Sequence, residues 1–563
     1  MKPRTLAAPL LAILAVLALG CGPVHGSGTG SGSGSAGPRS PASPHGLVRA
    51  DTPDAVNIAV ARQHGRQRLF TWRPWSAEAF AEARRDHKLI LLDGAAEWCH
   101  WCHVMDATTY RDPEVGRVLA ERFVTIRADV DEHPDLAERY GAWGWPATIV
   151  FSPEAEELGK YRGYLPPDEL QRVLAEAEAA LESGPARPGA ERRDPADLAP
   201  PAEALGWIAG RVLVDLDAYY DPTEGGWGRM QKAPLGANAE VELLRAGHGD
   251  ADAQARAVFT LQKQRALLDP VWGGVYQYSA AATWDKPHYE KLMTYQAANL
   301  EAYARAYART RDPAMLADAQ GIAGYLSTFL SSPEGAFLVS QDADAGAHDD
   351  AATFVDGDVY YRLGDRERRA LGVPRVDAHV YGLENGLAIA AFATLFEASR
   401  DAGVLARARR AADRVRASLV APDGAVTRAG QGARYLADAA SLGRGLARLA
   451  EITGEAGYRE AALSIAAAMR RDLEDTATGA FWDHTPDPAA AGVFARRTRP
   501  LAPNLLVARF FAALARVTGD AAWKERGRRA LAAVCTPRAL DDRGRMLGEV
   551  LLALDEVGAI PWR

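Results

Sequence analysis

Cys99 and Cys102 lie two residues apart in the run Gly94-Ala95-Ala96-Glu97-Trp98-Cys99-His100-Trp101-Cys102-His103-Val104-Met105. Two thiols at that spacing close into a small disulfide and reopen if the first sits at a helix start, where unpaired N–H groups and the helix dipole favour a thiolate. His100 adds positive charge beside it when protonated. In this reading Cys99 is the nucleophile, and Cys102, one helical turn on and deeper, resolves the mixed disulfide. Asp93 stands six residues before Cys99 and serves as a proton carrier if burial raises its pKa. The alternative for Asp93 is a carboxylate held by Arg127 across a sheet. Trp101, between the cysteines, restricts which substrates approach.

Two rival chemistries use the same residues. Cys99-x-x-Cys102-His103 fits the attachment pattern of c-type haem. Cys99, His100, Cys102 and His103 also offer soft and imidazole ligands to a metal ion within five residues. A strand carrying Asp93 and a proline-led strand after the motif serve a redox pair and serve no haem, and a helical start points the two imidazoles apart. The expectation is therefore a redox-active disulfide with no further cofactor.

The elements that must hold these residues follow from periodicity. A helical pattern runs over 76–85, buried strands over 88–93, 123–130 and 147–151, an edge strand over 160–165 and a closing helix over 167–181. This order resembles thioredoxin. Asp93 stands where thioredoxin keeps its buried carboxylate, Trp98 precedes the first cysteine, and Pro146 opens a strand where that fold keeps a cis proline facing the cysteines. Ala128-Asp129-Val130-Asp131 and Tyr140-Gly141 extend the likeness, which implies an α/β thioredoxin-like domain over 60–183.

Residues 184–202 are rich in Pro, Glu, Arg and Ala without periodicity and read as a linker. Nearly everything over 203–563 reads as helix, in pairs at 203–219 with 238–268, 289–310 with 313–330, 383–400 with 402–419, 434–453 with 456–474, and 502–518 with 520–535. Loop signals recur beside the pairs at Gly225-Gly226-Trp227, Gly273-Gly274-Val275, Gly335-Ala336-Phe337, Gly424-Ala425-Val426 and Gly479-Ala480-Phe481, with Gly544-Arg545-Met546 as a degenerate sixth. About six helical hairpins suggest a closed all-α (α/α)6 toroid of the six-hairpin glycosidase kind, with a pocket built from loops at one end. Fold alone assigns no reaction. By their own chemistry, Trp284 offers a sugar-stacking face, His288 an acid/base group, and Glu290, Asp342 and Asp344 the paired carboxylates that glycoside hydrolysis or epimerisation needs. Asn385 and Asp438 join them as pocket candidates. The plainer alternative is that such aspartates cap helices and such aromatics fill the core.

A narrower resemblance covers about residues 65 to 535. His100-Trp101-Cys102-His103-Val104-Met105, Asp131-Glu132-His133-Pro134-Asp135 and Gly144-Trp145-Pro146 resemble the thioredoxin-like domain of the spermatogenesis-associated protein family and its bacterial homologues, which carry the DUF255 domain. Gly225-Gly226-Trp227-Gly228, Pro287-His288-Tyr289-Glu290-Lys291, Gln341-Asp342-Ala343-Asp344, Asn385-Gly386-Leu387 and Leu436-Ala437-Asp438 resemble the barrel motifs of the same family. The resemblance implies a thioredoxin-like domain joined to a helical barrel. The chain departs from the family at Glu384, where the family has Trp, and in the short segment between Asp344 and Asn385.

The chain has 563 residues, 48% hydrophobic and 25% charged, enough for more than one domain. With 65 Lys+Arg against 73 Asp+Glu the net charge is −8, which excludes the basic excess of a phosphate-backbone binder, so no nucleic-acid partner is expected. Lys2 and Arg4 precede an apolar run over 6–19 that is too short to span a bilayer and reads as an export signal. Ala18-Leu19-Gly20-Cys21 resembles a bacterial lipobox, which implies a signal over 1–21, lipid on Cys21 and membrane association through it; an ordinary secretory signal is the alternative. Residues 22–59 serve as a Gly/Ser/Pro tether. Cys535, in an apolar helical stretch, reads as a buried inert thiol.

The sequence thus predicts an exported cell-envelope lipoprotein on the periplasmic or surface side. Its leading function is thiol–disulfide exchange through Cys99 and Cys102 with a protein or small-molecule disulfide, the barrel binding a glycan or partner. The alternatives are a carbohydrate-active hydrolase or epimerase-like barrel with a structural or regulatory thioredoxin-like domain, and a non-enzymatic envelope scaffold or metal-handling protein.

Overall fold

The computed structural model describes residues 67–141, 144–182, 195–348, 354–428 and 432–562. The expected signal, the lipidation residue Cys21, the tether and most of the linker lie outside the described residues.

The first domain is a five-stranded mixed sheet, β1 (Arg73–Pro74), β2 (Leu89–Ala95), β3 (Phe123–Asp129), β4 (Ala147–Phe151) and β5 (Glu157–Arg162), in the order β1-β3-β2-β4-β5. β2 runs parallel to β3 and antiparallel to β4. Alternation along β2 explains why it is apolar throughout. Ile90 and Leu92 join Val124, Ile126, Ile149 and Phe151 on one face, while Leu89 and Leu91 join Phe123 and Val150 on the other. Helices α1 (Ala77–Asp86), α2 (His100–Ala107), α3 (Pro113–Arg122), α4 (Pro134–Tyr140) and α5 (Pro167–Glu182) complete the domain. The Ser76 hydroxyl caps α1 by accepting from Ala79 N, and Asp112 caps α3 ahead of Pro113. The edge strand lies three residues earlier than its pattern predicts, and Gly163, at φ +74°, turns the chain away after Arg162 and ends it.

The second domain is an (α/α)6 barrel. Its helices are α6 (Leu205–Tyr219), α7 (Gly236–Gly247), α8 (Ala251–Gln264), α9 (Met293–Thr310), α10 (Pro313–Thr328), α11 (Gly382–Ser399), α12 (Ala402–Leu419), α13 (Leu436–Thr453), α14 (Ala456–Leu473), α15 (Leu501–Thr518), α16 (Ala522–Val534) and α17 (Gly548–Glu556). The inner ring runs α7-α9-α11-α13-α15-α17 and closes from α17 back onto α7; each inner helix packs against an outer one, with α6 behind α17. Here the sequence pattern misleads twice. The stretch 238–268 is two helices, split where Asp250 caps α8 by accepting from Ala253 N at 3.0 Å. The helix at 205–219 pairs with the last inner helix, at the far end of the sequence, and not with its successor.

Small residues set the inner spacing. A Cβ on Gly386 of α11 would lie 2.2 Å from the Ser441 backbone of α13, so these two helices meet backbone to backbone. α15 is long and apolar enough to cross a membrane by composition, yet it is a mostly buried inner helix of this ring. Inside the ring, three carboxylates face three guanidiniums: Glu240 with Arg305 at 2.9 Å, Glu301 with Arg444 at 3.3 Å, and Glu556 with Arg509 at 2.9 Å.

The two domains share a core. Val493 and Phe494, from the loop before α15, pack into the first domain's sheet face, where Phe494 meets Trp75 edge-on at 4.6 Å and Phe151 at 5.4 Å.

Candidate functional site

The cysteine pair lies where the domains meet. Cys99 is the N-cap of α2, and Cys99 and Cys102 form a disulfide with sulfurs 2.10 Å apart. Cys99 Sγ also accepts from Cys102 N at 3.2 Å, so the helix N-terminus points at the first sulfur, as thiolate stabilisation requires. The Trp145–Pro146 peptide is cis and leads into β4, with the Trp145 ring against the cluster that holds both cysteines. Trp98 lies in the same cluster and donates to Asp131 at 2.7 Å. Cys99 is 3% and Cys102 7% exposed, and Leu292 of the barrel packs against the cluster that holds them.

Asp93 is buried in β2, in register with Arg127 of β3. Arg127 donates to one oxygen at 2.8 Å and Tyr110 to the other at 3.2 Å. Burial raises its pKa, and Arg127 offsets only part of that rise. Asp93 is thus tied across the sheet, and its carboxyl is still shifted upward. Cys535 is buried and its thiol is pushed up to about 12 by desolvation, so it is inert.

The barrel carboxylates are those that meet the cysteine helix. His100 Nδ1 is 2.7 Å from Asp344 Oδ2, and His103 Nδ1 is 3.7 Å from the same oxygen. The two imidazoles, three residues apart, thus share one helix face instead of diverging. Burial opposes charge on His100, but Asp344 outweighs it and raises the pKa to about 10. Burial acts against ionisation of Asp344 as well, and His100 overrides it and holds the carboxyl well below its ordinary range. Glu290 accepts from His100 N at 3.4 Å, on the first turn of α2, and its other oxygen has no partner. Burial pushes Glu290 up to about 7. His288 stacks on Tyr278 at 4.3 Å and lies 6.3 Å from the rings of both Trp101 and His100; burial and His100 together lower it to about 3.

The remaining barrel candidates hold scaffold contacts. Trp284 is buried against Gly226 and donates to Glu224 O, so its face is covered. Asn385 clamps the Phe337 backbone, accepting from its N at 2.8 Å and donating to its O at 3.0 Å; Gln296 does the same to Val275 and Asn504 to Phe481. These clamps hold three of the recurring Gly-rich loops, those ending in Val275, Phe337 and Phe481. Asp438 pairs with Arg428 at 2.6 Å and accepts from Leu383 N.

Sequence reasoning missed His348, Glu97 and Arg375. His348 Nε2 lies 2.8 Å from the Glu97 carbonyl oxygen, and Arg375 joins the Glu97 carboxylate at 2.7 Å, so both bind the barrel to the segment before Cys99. Only the spacing of His348 four residues after Asp344 hinted at a role.

Residues 58–181 match the family model described as Thioredox_DsbH, Protein of unknown function, DUF255. Human Spermatogenesis-associated protein 20 is 28% identical over 307 residues, 49% of this chain and 39% of that protein, so the chain spans about two fifths of the length of this relative. Thioredoxin-1 of Drosophila melanogaster is 35% identical over 78 residues, 14% of this chain and 69% of the thioredoxin. Among solved structures, cellobiose 2-epimerase from Bacillus thermoamylovorans superposes with a TM-score of 0.44 at 10% identity, covering 57% of this chain and 86% of that one. Through its cysteine-bearing domain the chain belongs to the thioredoxin family, in the DUF255 form, and it has homologues in the spermatogenesis-associated proteins.

Proposed function

We propose that the protein is a thiol–disulfide oxidoreductase of the cell envelope, acting through Cys99 and Cys102. The observation that carries this reading is the disulfide at the N-terminus of α2, with Cys99 as the helix cap. In the reduced state the Cys99 thiolate attacks a substrate disulfide and releases one substrate thiolate. The Cys102 thiolate then attacks Cys99 Sγ and expels the second, so two electrons pass to the substrate and the pair returns to its disulfide. The run in the opposite direction oxidises a dithiol. Glu290, which burial raises to about 7 and which accepts from His100 N on the first turn of α2, is a barrel carboxyl suited to carry the proton. Burial of both cysteines favours a small-molecule disulfide over a protein. Export and a lipid on Cys21 are part of the same proposal and rest on the lipobox-like run; incorporation of labelled fatty acid that is lost in Cys21→Ser is the check.

The test is the fraction of Cys99–Cys102 disulfide in the purified protein across a graded glutathione buffer, read by alkylation and intact mass. A reversible two-electron transition with Cys99 the more reactive thiol supports the oxidoreductase, and inert thiols sink it. A second reading, a sugar-active barrel, is favoured by the contrast between Glu290 near 7 and the strongly acidic Asp344 in one buried mouth, which is the arrangement of an acid and a base. It predicts turnover on a sugar panel that survives Cys99→Ser and is lost in Glu290→Gln.

A further inference from the structure

Beside the disulfide, four donor atoms from both domains converge on one point. His348 Nε2 lies 2.8 Å from the Glu97 carbonyl oxygen and 2.9 Å from Asp342 Oδ2. His103 Nε2 lies 3.1 Å from the same carbonyl and 3.7 Å from the same carboxylate oxygen. The imidazole rings stand nearly perpendicular, 88° apart with centroids at 4.7 Å. A tetrahedral ion with bonds of about 2.0–2.1 Å has ligand–ligand edges of roughly 3.3 Å, and the four measured edges bracket that length. Asp342 is buried, and His103 has no hydrogen-bond partner at Nδ1. Ligation through Nε2 leaves the Nδ1 proton directed at Asp344, the carboxylate 3.7 Å away, which is the usual support of a metal-bound histidine.

We propose that His103 Nε2, His348 Nε2, Asp342 Oδ2 and the Glu97 carbonyl form a site for a divalent transition-metal ion, zinc by donor chemistry. Two imidazoles and a carboxylate suit zinc, and the Glu97 carbonyl fills the fourth position and closes the site. The disulfide sulfurs are bonded to each other and are not part of it. Glu97 and His103 come from the thioredoxin-like domain and Asp342 and His348 from the barrel, so the ion fastens the barrel mouth over the cysteine pair. This site is independent of the redox reading, because it is formed in the oxidised protein.

The test uses the oxidised full chain, stripped with chelator and dialysed. Titration with Zn2+ alone is expected to give one equivalent bound per chain. His348→Ala and Asp342→Asn should lose that binding, while Asp344→Asn should weaken it about 10- to 100-fold. His379→Ala removes an imidazole that pairs with Asp377 outside the cluster and should retain it. His348 is an exposed loop residue, and circular dichroism checks that its variant is folded. Substitution with Co2+ should give tetrahedral visible bands without a thiolate-to-metal charge-transfer band. Absence of saturable Zn2+ uptake, undiminished binding in folded His348→Ala, or a thiolate band would each overturn the proposal.

Discussion

The barrel carries two buried clusters of charge, and they are built from different cations. Inside the ring, Glu240, Glu301 and Glu556 face Arg305, Arg444 and Arg509, all six from inner helices of one domain. At the mouth, Asp342, Asp344 and Glu290 face His100, His103 and His348, and the partners come from two domains. A guanidinium cannot lose its charge at any pH the protein meets, so the cations of the inner cluster are fixed and hold helices together, although burial pushes Glu240 beside them up to about 7. An imidazole can exchange a proton or take a metal, so the mouth cluster can change state. The same number of buried acids therefore does structural work in one place and is available for chemistry in the other.

The sharpest way to test that division is to remove the thiol chemistry. Cys99→Ser should abolish disulfide exchange completely. The bridge closes a very short loop, so the loss of stability should be no more than about 2 kcal/mol; a urea titration beside a glutathione exchange assay reads both, and residual exchange would move the nucleophile elsewhere. Next in size is Arg444→Met, which leaves Glu301 buried without its partner and should cost about 3–5 kcal/mol. The potential of the cysteine pair, measured on the folded fraction, should stay unchanged. A shifted potential would mean that the two clusters are coupled.

The thioredoxin-like half was legible because its signals are local. Asp93 and the two cysteines sit within ten residues of one another, Pro146 stands directly before β4 in the same domain, and β4 begins and ends at the residues its pattern predicts. In the barrel, the helices were legible from periodicity but their pairing was not. The inner-to-outer turns in fact repeat a short motif, Thr310-Arg311-Asp312, Ser399-Arg400-Asp401, Thr453-Gly454-Glu455 and Thr518-Gly519-Asp520, with the middle residue in the left-handed region each time. Reading that motif would have marked the hairpin ends and shown that 205–219 stands outside the series. The mouth could not be read at all, since His100 and Asp344 are 244 residues apart and nothing local in either segment announces the other. Sugar-site logic placed Glu290 and Asp344 in a barrel pocket; the structure puts them against the cysteine helix.

The contact between the domains ranks third. Phe494 fills the sheet face of the thioredoxin-like domain with aromatic neighbours on three sides, Trp75, Phe80 and Phe151. Phe494→Ala should cost about 3 kcal/mol, near the low end for a buried Phe, because the loop that carries it can partly collapse. It should also speed reduction of the disulfide by a small thiol, since loosening the barrel uncovers Cys99. Lost stability with an unchanged reduction rate would show that the mouth stays shut by its own contacts.

The smallest effect expected is a pH dependence at Glu290. Its folded pKa is about 7, above the 4.5 of an unperturbed side chain, so the native state holds its proton more tightly than the unfolded chain does. Its stabilising share is full below about pH 4.5 and is lost as the pH rises through 7. Glu290→Gln removes that loss. Relative to the wild type, the variant should gain stability between pH 5 and 8, by no more than about 3 kcal/mol for a shift of this size, read from urea unfolding at the two pH values. Arg444→Met should show the opposite slope, losing stability relative to the wild type as the pH rises, because Arg444 is the first of the cations that hold the buried Glu301 carboxyl low. A flat difference for Glu290→Gln would mean that Glu290 exchanges no proton in this range, and that the proton in thiol exchange travels by another group.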